Sequence, residues 1–136
     1  MMNLIEEFGQ YAGKIWHTLN TDGPLSETKL LDKTMLDEKK LKAAIGWLAR
    51  ENKICKNGTV YKLGETNLAP KIGNDAGKLW TVLTTKKEID ISTISKVTRI
   101  KEQDAYSALG WLAREDKIET RIISTPKDKK IKIKLK

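Results

Sequence analysis

The chain has 136 residues, 26 of them Lys or Arg against 18 Asp or Glu, for a formal net charge of +8 and a hydrophobic content of 39%. That length holds one ordinary domain or two small ones, no run reaches the roughly 18 uninterrupted apolar residues of a membrane span, and the opening Met1-Met2-Asn3-Leu4-Ile5 lacks the basic segment and apolar core of a secretory leader. The single Cys55 and single His17 supply no disulfide, zinc ligand set or nucleophile–base pair, and there is no phosphate loop or nucleotide fingerprint, so the expectation is a cytoplasmic binding protein without catalytic residues, metal or cofactor.

The first half of the chain reappears in the second without a gap. With Gly9 placed on Gly73 and Ile54 on Ile118, the two longest matches are Ala12-Gly13-Lys14-Ile15-Trp16 with Ala76-Gly77-Lys78-Leu79-Trp80, and Gly46-Trp47-Leu48-Ala49-Arg50-Glu51 with its identical copy from Gly110 to Glu115. Such self-similarity marks a repeated supersecondary unit. The expected domains are residues 1–65 and 66–136, joined near Gly64 to Leu68.

In each unit a first helix is predicted by Leu4, Ile5, Phe8, Ala12, Ile15, Trp16 and Leu19 at helical spacing; its copy starts near Pro70 and runs through Ile72, Ala76, Leu79, Trp80 and Leu83. Trp16 and Trp80 fall on the apolar stripe and are expected in the core. After the break at Asp22-Gly23-Pro24, Ser26 is the expected N-cap of a short helix from Glu27 to Lys33, with Asp90 in that place in the copy. A third helix opens at Asp37 or Lys101 and runs to about Asn52 in the first unit. One side carries Leu41, Ala44, Ile45 and Leu48, or Ala105, Ala108, Leu109 and Leu112. The other carries Lys39, Lys42, Ala43, Gly46 and Arg50, or Gln103, Tyr106, Ser107, Gly110 and Arg114, and is expected to face solvent. Asn57-Gly58 between Lys53–Lys56 and Thr59–Leu63 predicts a hairpin with a type I′ turn; in the copy, 117–123 and 130–135 flank a longer loop. Leu25, and Ile89 or Ile91, are candidates for a short third strand.

Three helices followed by a hairpin is the order of a winged helix-turn-helix unit, so the expected fold class is mostly α with small β wings (α+β), in two tandem copies. The segments Ala44-Ile-Gly-Trp-Leu-Ala-Arg-Glu-Asn-Lys-Ile54 and Ala108-Leu-Gly-Trp-Leu-Ala-Arg-Glu-Asp-Lys-Ile118, with Ala-Gly-Lys-x-Trp on the first helix, resemble a small prokaryotic winged-helix family of unassigned function. The resemblance covers both halves and implies the winged-helix fold and DNA binding.

Glycines at Gly13/Gly77 and Gly46/Gly110 lie within predicted helices, where Gly costs about 1 kcal/mol relative to Ala; their recurrence suggests close backbone approach between helices. For Trp47 and Trp111, on the flank of the third helix, three readings stay open: packing within the unit under the wing or first helix, an interface, either the seam between the two units or a docking surface for a partner, or contact with nucleic acid.

Charge divides unequally. Residues 1–69 hold 10 basic and 9 acidic side chains, residues 70–136 hold 16 and 9. Arg121, Lys127, Lys129, Lys130, Lys132, Lys134 and Lys136 crowd the last segment, and period two sends Lys130, Lys132, Lys134 and Lys136 to one face of the last strand. Such a ribbon suits a phosphate backbone. The expected reading is a duplex DNA-binding protein, a transcription regulator or a nucleoid-associated protein, acting mainly through the second unit. Gln103, Tyr106 and Ser107 are the candidate base contacts, Arg99 and the wing lysines the backbone contacts, and Lys39 and Lys42 the contribution of the first unit. Two units on one duplex would address sites about 34 Å apart. The alternative is a protein-interaction scaffold docking partners around Trp47 and Trp111, favoured by the carboxylates Asp37, Glu38, Glu102 and Asp104 near the starts of the third helices.

Overall fold

A computed structural model describes residues 3–136. The first unit comprises α1 (Leu4–Asp22), β1 (Leu25–Ser26), α2 (Glu27–Thr34), α3 (Glu38–Arg50), β2 (Ile54–Asn57) and β3 (Val60–Leu63). The second comprises α4 (Ala69–Lys86), β4 (Glu88–Asp90), a 3-10 turn (Ile91–Thr93), α5 (Ile94–Thr98), α6 (Glu102–Arg114), β5 (Ile118–Ser124) and β6 (Lys129–Leu135). Each has a three-stranded antiparallel sheet in which the strand before the helix-turn-helix joins the hairpin, in the orders β1-β3-β2 and β4-β6-β5. No helix among the described residues is long and apolar enough to cross a membrane.

Local chemistry accounts for the boundaries. Asn3, Ser26 and Asp37 each accept a backbone N–H three residues on, at 2.9, 3.2 and 2.9 Å, and start α1, α2 and α3. Asp90 caps the 3-10 turn instead, so α5 begins later and is shorter than its counterpart. Within each helix-turn-helix the buried threonine at the end of the second helix, Thr34 or Thr98, donates to the carbonyl of Leu30 or Ile94 at 2.6 Å and accepts from Leu36 or Ile100 N–H at 3.4 Å. The chain then turns through a left-handed residue, Met35 at φ 60° or Arg99 at φ 59°. The third helices end at Arg50 and Arg114, earlier than their spacing suggested. Asn52 and Asp116 take positive φ there, and the N–H of Lys53 or Lys117 reaches back to Leu48 or Leu112 O at 3.0 and 3.1 Å. The first hairpin turns on Gly58-Thr59, not Asn57-Gly58: Asn57 pairs with Val60, and of the turn residues only Gly58 has positive φ, the type II′ arrangement.

The two units are not beads on a linker. α3 and α6 lie side by side along their whole length, with N-terminal ends together (Lys39 to Glu102, 3.7 Å) and C-terminal ends together (Arg50 to Glu115, 3.1 Å; Arg114 to Glu51, 3.0 Å). These reciprocal pairs define a pseudo-two-fold axis running between the helices. On that axis the backbones touch: a Cβ placed on Gly46 would fall 1.8 Å from Ser107 O, and one on Gly110 would fall 1.9 Å from Ala43 O. The helix face expected to meet solvent is therefore corrected. Ala43, Gly46, Ser107 and Gly110 are buried because they are the seam, and their small size, which reads as lack of commitment on a helical wheel, is what lets two backbones meet. The cores also interlock, since Phe8 of α1 packs into the apolar cluster of the second unit and its counterpart Ile72 of α4 into that of the first.

A second correction concerns Trp16 and Trp80, which are 39% and 44% exposed. Ala12, Ile15 and Leu19, with Ala76, Leu79 and Leu83, suffice for the buried stripe. Of the helical glycines, Gly13 and Gly77 have nothing within 4 Å of a notional Cβ, so the close approach suggested for all four occurs at Gly46 and Gly110 alone. Urea unfolding is expected to separate the two classes. Gly46→Ala should lower the unfolding free energy by about 1–3 kcal/mol through overpacking at the seam, whereas Gly13→Ala should raise it by up to about 1 kcal/mol through helix propensity alone.

Candidate nucleic-acid interface

The expected base-reading residues sit at the seam or beside it. Ser107 is buried and donates from Oγ to Lys42 O at 3.0 Å. Tyr106 is half-buried in a cleft between the units, with the Lys39 ammonium 5.7 Å from its ring centre. Burial, followed by the nearby Glu102 and Asp37 carboxylates, pushes its phenol up to about 12. Gln103 remains exposed at the start of α6. Lys42 is turned toward its own wing: Nζ meets Glu27 at 2.7 Å and Tyr61 Oη at 3.4 Å. Burial opposes its charge, but these contacts outweigh it and its pKa is raised. Because α3 and α6 are in contact, they cannot occupy successive major grooves about 34 Å apart, and that expected spacing is withdrawn.

The lysine ribbon of the second wing is also altered by its neighbours. Antiparallel partners share a face, so Lys132 lies between Asp90 and Arg121, and Lys134 between Glu88 and Glu119. Lys132 pairs with Asp90 at 3.8 Å, Lys134 with Glu119 at 3.1 Å, Arg121 with Glu88 at 2.8 Å and Lys136 with Asp116 at 2.7 Å. Hydrogen bonds from Ser92, with Lys132 and Lys130 adding to them, hold the Asp90 carboxyl below its ordinary value. Among the described residues of the wing, the cations left without a carboxylate are at the tip, Lys127, Lys129 and Lys130. Arg99, at the left-handed turn before α6, is exposed and likewise has no carboxylate partner among the described residues. At its base the tip leans over the first unit, so that Lys129 and Ile131 line one cleft of about 290 Å³ with Lys39, Lys40, Tyr11 and Tyr106.

Sequence reasoning alone did not find this cross-unit gathering, nor the exposed Lys86, Lys87, Lys96 and Lys101 at the helix ends of the second unit. The first needs the seam to be known. The others were legible only as the remainder after the carboxylates of the second unit, Asp128 excepted, had been given a partner. Trp47 and Trp111 are half-buried against the first helices of their own units, the Trp47 ring 3.2 Å from a Cβ on Gly9 and the Trp111 ring 3.4 Å from one on Gly73. Their outer edges contribute to two surface grooves.

Two helix-turn-helix motifs, each closed by a three-stranded wing sheet, make this a tandem winged helix-turn-helix protein, an architecture of DNA-binding proteins in general. The chain belongs to the winged helix-turn-helix domain family DUF2582, which matches it twice, over residues 2–63 and 65–135. No protein with a curated description matches it. Among the described residues no group of His, Cys, Asp and Glu is placed to hold a metal ion.

The raised phenol has a measurable consequence. A tyrosine whose folded pKa lies above its ordinary 10.0 favours the protonated form, so it leaves stability unchanged below pH 10 and lowers it as pH rises from 10 toward about 12. In a spectrophotometric titration the last tyrosine to ionise should disappear in Tyr106→Phe, and the decline in stability between those pH values should become shallower.

Proposed function

We propose that the protein binds the phosphate backbone of duplex DNA through the cations of its second unit, without reading base edges, as a chromosome-associated or regulatory protein. The observation that carries this reading is the residue of charge after local pairing. Among the described residues of the second unit, every carboxylate except Asp128 has a basic partner within 4.0 Å, while Lys86, Lys87, Lys96, Arg99, Lys101, Lys127, Lys129 and Lys130 have no acidic one. Most of these cations lie at the tip of the wing, around the turn of the helix-turn-helix and at the end of α4; the exposed Lys78, likewise without a carboxylate partner among the described residues, stands in the middle of α4. In winged-helix proteins the turn and the wing flank the duplex, and contacts from such places position the protein without specifying sequence. Lys40 of the first unit lines the same cleft as Lys129, whereas Lys39 there is paired with Glu102 at 3.7 Å. Sequence preference is expected to be weak because Ser107 and most of Tyr106 are committed to the seam.

Fluorescence anisotropy with a random-sequence duplex tests this. Lys127, Lys129 and Lys130 changed together to Gln should flatten the log–log salt dependence by about 3, roughly one for each phosphate no longer neutralised. Lys132, Lys134 and Lys136 changed together to Gln should leave it nearly unaltered, since each already faces a carboxylate. Equal losses of affinity from the two triple variants, or no binding at about 50 mM salt, would contradict the proposal.

A further inference from the structure

The exposed tryptophans stand over two grooves related by the pseudo-two-fold axis, of about 270 Å³ in the first unit and 420 Å³ in the second. The first is lined by Gly9, Ala12, Gly13, Trp16, Trp47, Leu48, Glu51 and Lys53, and every one of these has the same residue type at the matching place in the second. The clefts between the units provide a comparison. There Glu7, Tyr11 and Lys40 in one are matched by Lys71, Asp75 and Asp104 in the other, so lining residues have diverged in charge and kind.

Folding explains part of the identity in the grooves. Gly9 makes room for the Trp47 ring, Ala12 and Leu48 are core, and Glu51 pairs across the seam with Arg114. It does not explain Gly13, Trp16 or Lys53. Gly13 lies mid-helix with open space beside it, where alanine would serve the helix better; the Trp16 indole and the Lys53 ammonium are exposed. The same holds for Gly77, Trp80 and Lys117.

We propose that these are twin docking grooves, each taking a short peptide segment of a partner protein that carries an apolar anchor side chain beside an acidic residue. Bare helix backbone at Gly13 or Gly77 lets the segment approach closely, and the exposed indole covers the apolar anchor. Lys53 and Lys117, each about half exposed at one end of its groove, meet the acidic residue: the carboxylate beside each, Glu51 or Glu115, is shared with an arginine of the other unit, Arg114 or Arg50, which leaves one positive charge over. Two equivalent grooves on one rigid body suit a partner presenting the segment twice, whose binding then gains from linkage. This inference stands apart from duplex binding and does not depend on it.

Panning a random peptide phage library against the full chain, followed by calorimetry with synthetic copies of the enriched peptides, tests the proposal. Enriched peptides should share an apolar residue next to Asp or Glu and bind two to a chain. Gly13→Leu should reduce the stoichiometry to one, as should Gly77→Leu, and the double variant should weaken binding at least tenfold. A Cβ at either position meets no atom within 4 Å and leucine suits a helix better than glycine, and a melting curve for each variant separates loss of binding from loss of structure. Peptides without that pattern, undiminished binding to the double variant, or an oligothymidylate strand that binds the parent and is lost in the double variant would each overturn it.

Discussion

Two helix backbones meet at Gly46 and Gly110, and the rest of the molecule is arranged around that contact. Glycine inside a helix costs about 1 kcal/mol relative to alanine, a cost offset here because no side chain separates α3 from α6. Close approach then brings Arg50 to Glu115 and Arg114 to Glu51, and carries Phe8 and Ile72 into the opposite apolar cluster. The arginines are about half exposed, so their ion pairs contribute modestly. Burial of Phe8, Ile72 and Ala43 supplies most of the cohesion. The repeated Gly-Trp-Leu-Ala-Arg-Glu run is thus a joining motif: glycine for approach, leucine and alanine for the core, and arginine with glutamate for the reciprocal clasp.

That union uses helix surface that a winged helix ordinarily presents to the major groove. What remains for a duplex is the periphery: wing tip, helix-turn-helix turn and helix ends. Local ion pairs quench the middle of the lysine ribbon and leave cations at its outer end, a distribution suited to holding a backbone and poorly suited to telling one base pair from another. Burial of the seam faces of α3 and α6 leaves the outer faces of α1 and α4, with Gly13, Trp16 and their copies, as a repeated surface open to solvent.

Much of the fold is legible in the residues alone. The repeat, three helices to a unit, the caps at Ser26 and Asp37, and the hairpins follow from spacing and capping chemistry, which act within a few residues. The seam shows in the sequence only as the recurrence of Gly46 and Gly110; which helices meet there is not legible, because a face of alanine, glycine, serine and lysine has low hydrophobicity whether it meets water or another backbone. Trp16 is misplaced for a related reason: period 3.6 puts it at the edge of a stripe, and only the packing of Ala12 and Ile15 decides which side of the edge is wet. Among the candidate site residues, Arg99, Gln103, Lys127, Lys129 and Lys130 are accessible as expected, whereas the fate of Lys132 and Lys134 turns on Asp90 and Glu119, which approach them only once β4 and β5 pair with β6.

Native-state hydrogen exchange across α3 and α6 tests most directly whether the two units form one body through this seam. If they do, amides from Leu41 to Leu48 and from Ala105 to Leu112 should exchange only through global unfolding, with one shared opening free energy and one shared denaturant dependence. Two separate opening energies, with either helix exchanging through a sub-global event that leaves the other unit folded, would contradict the interlocked seam and return the faces of α3 and α6 to solvent.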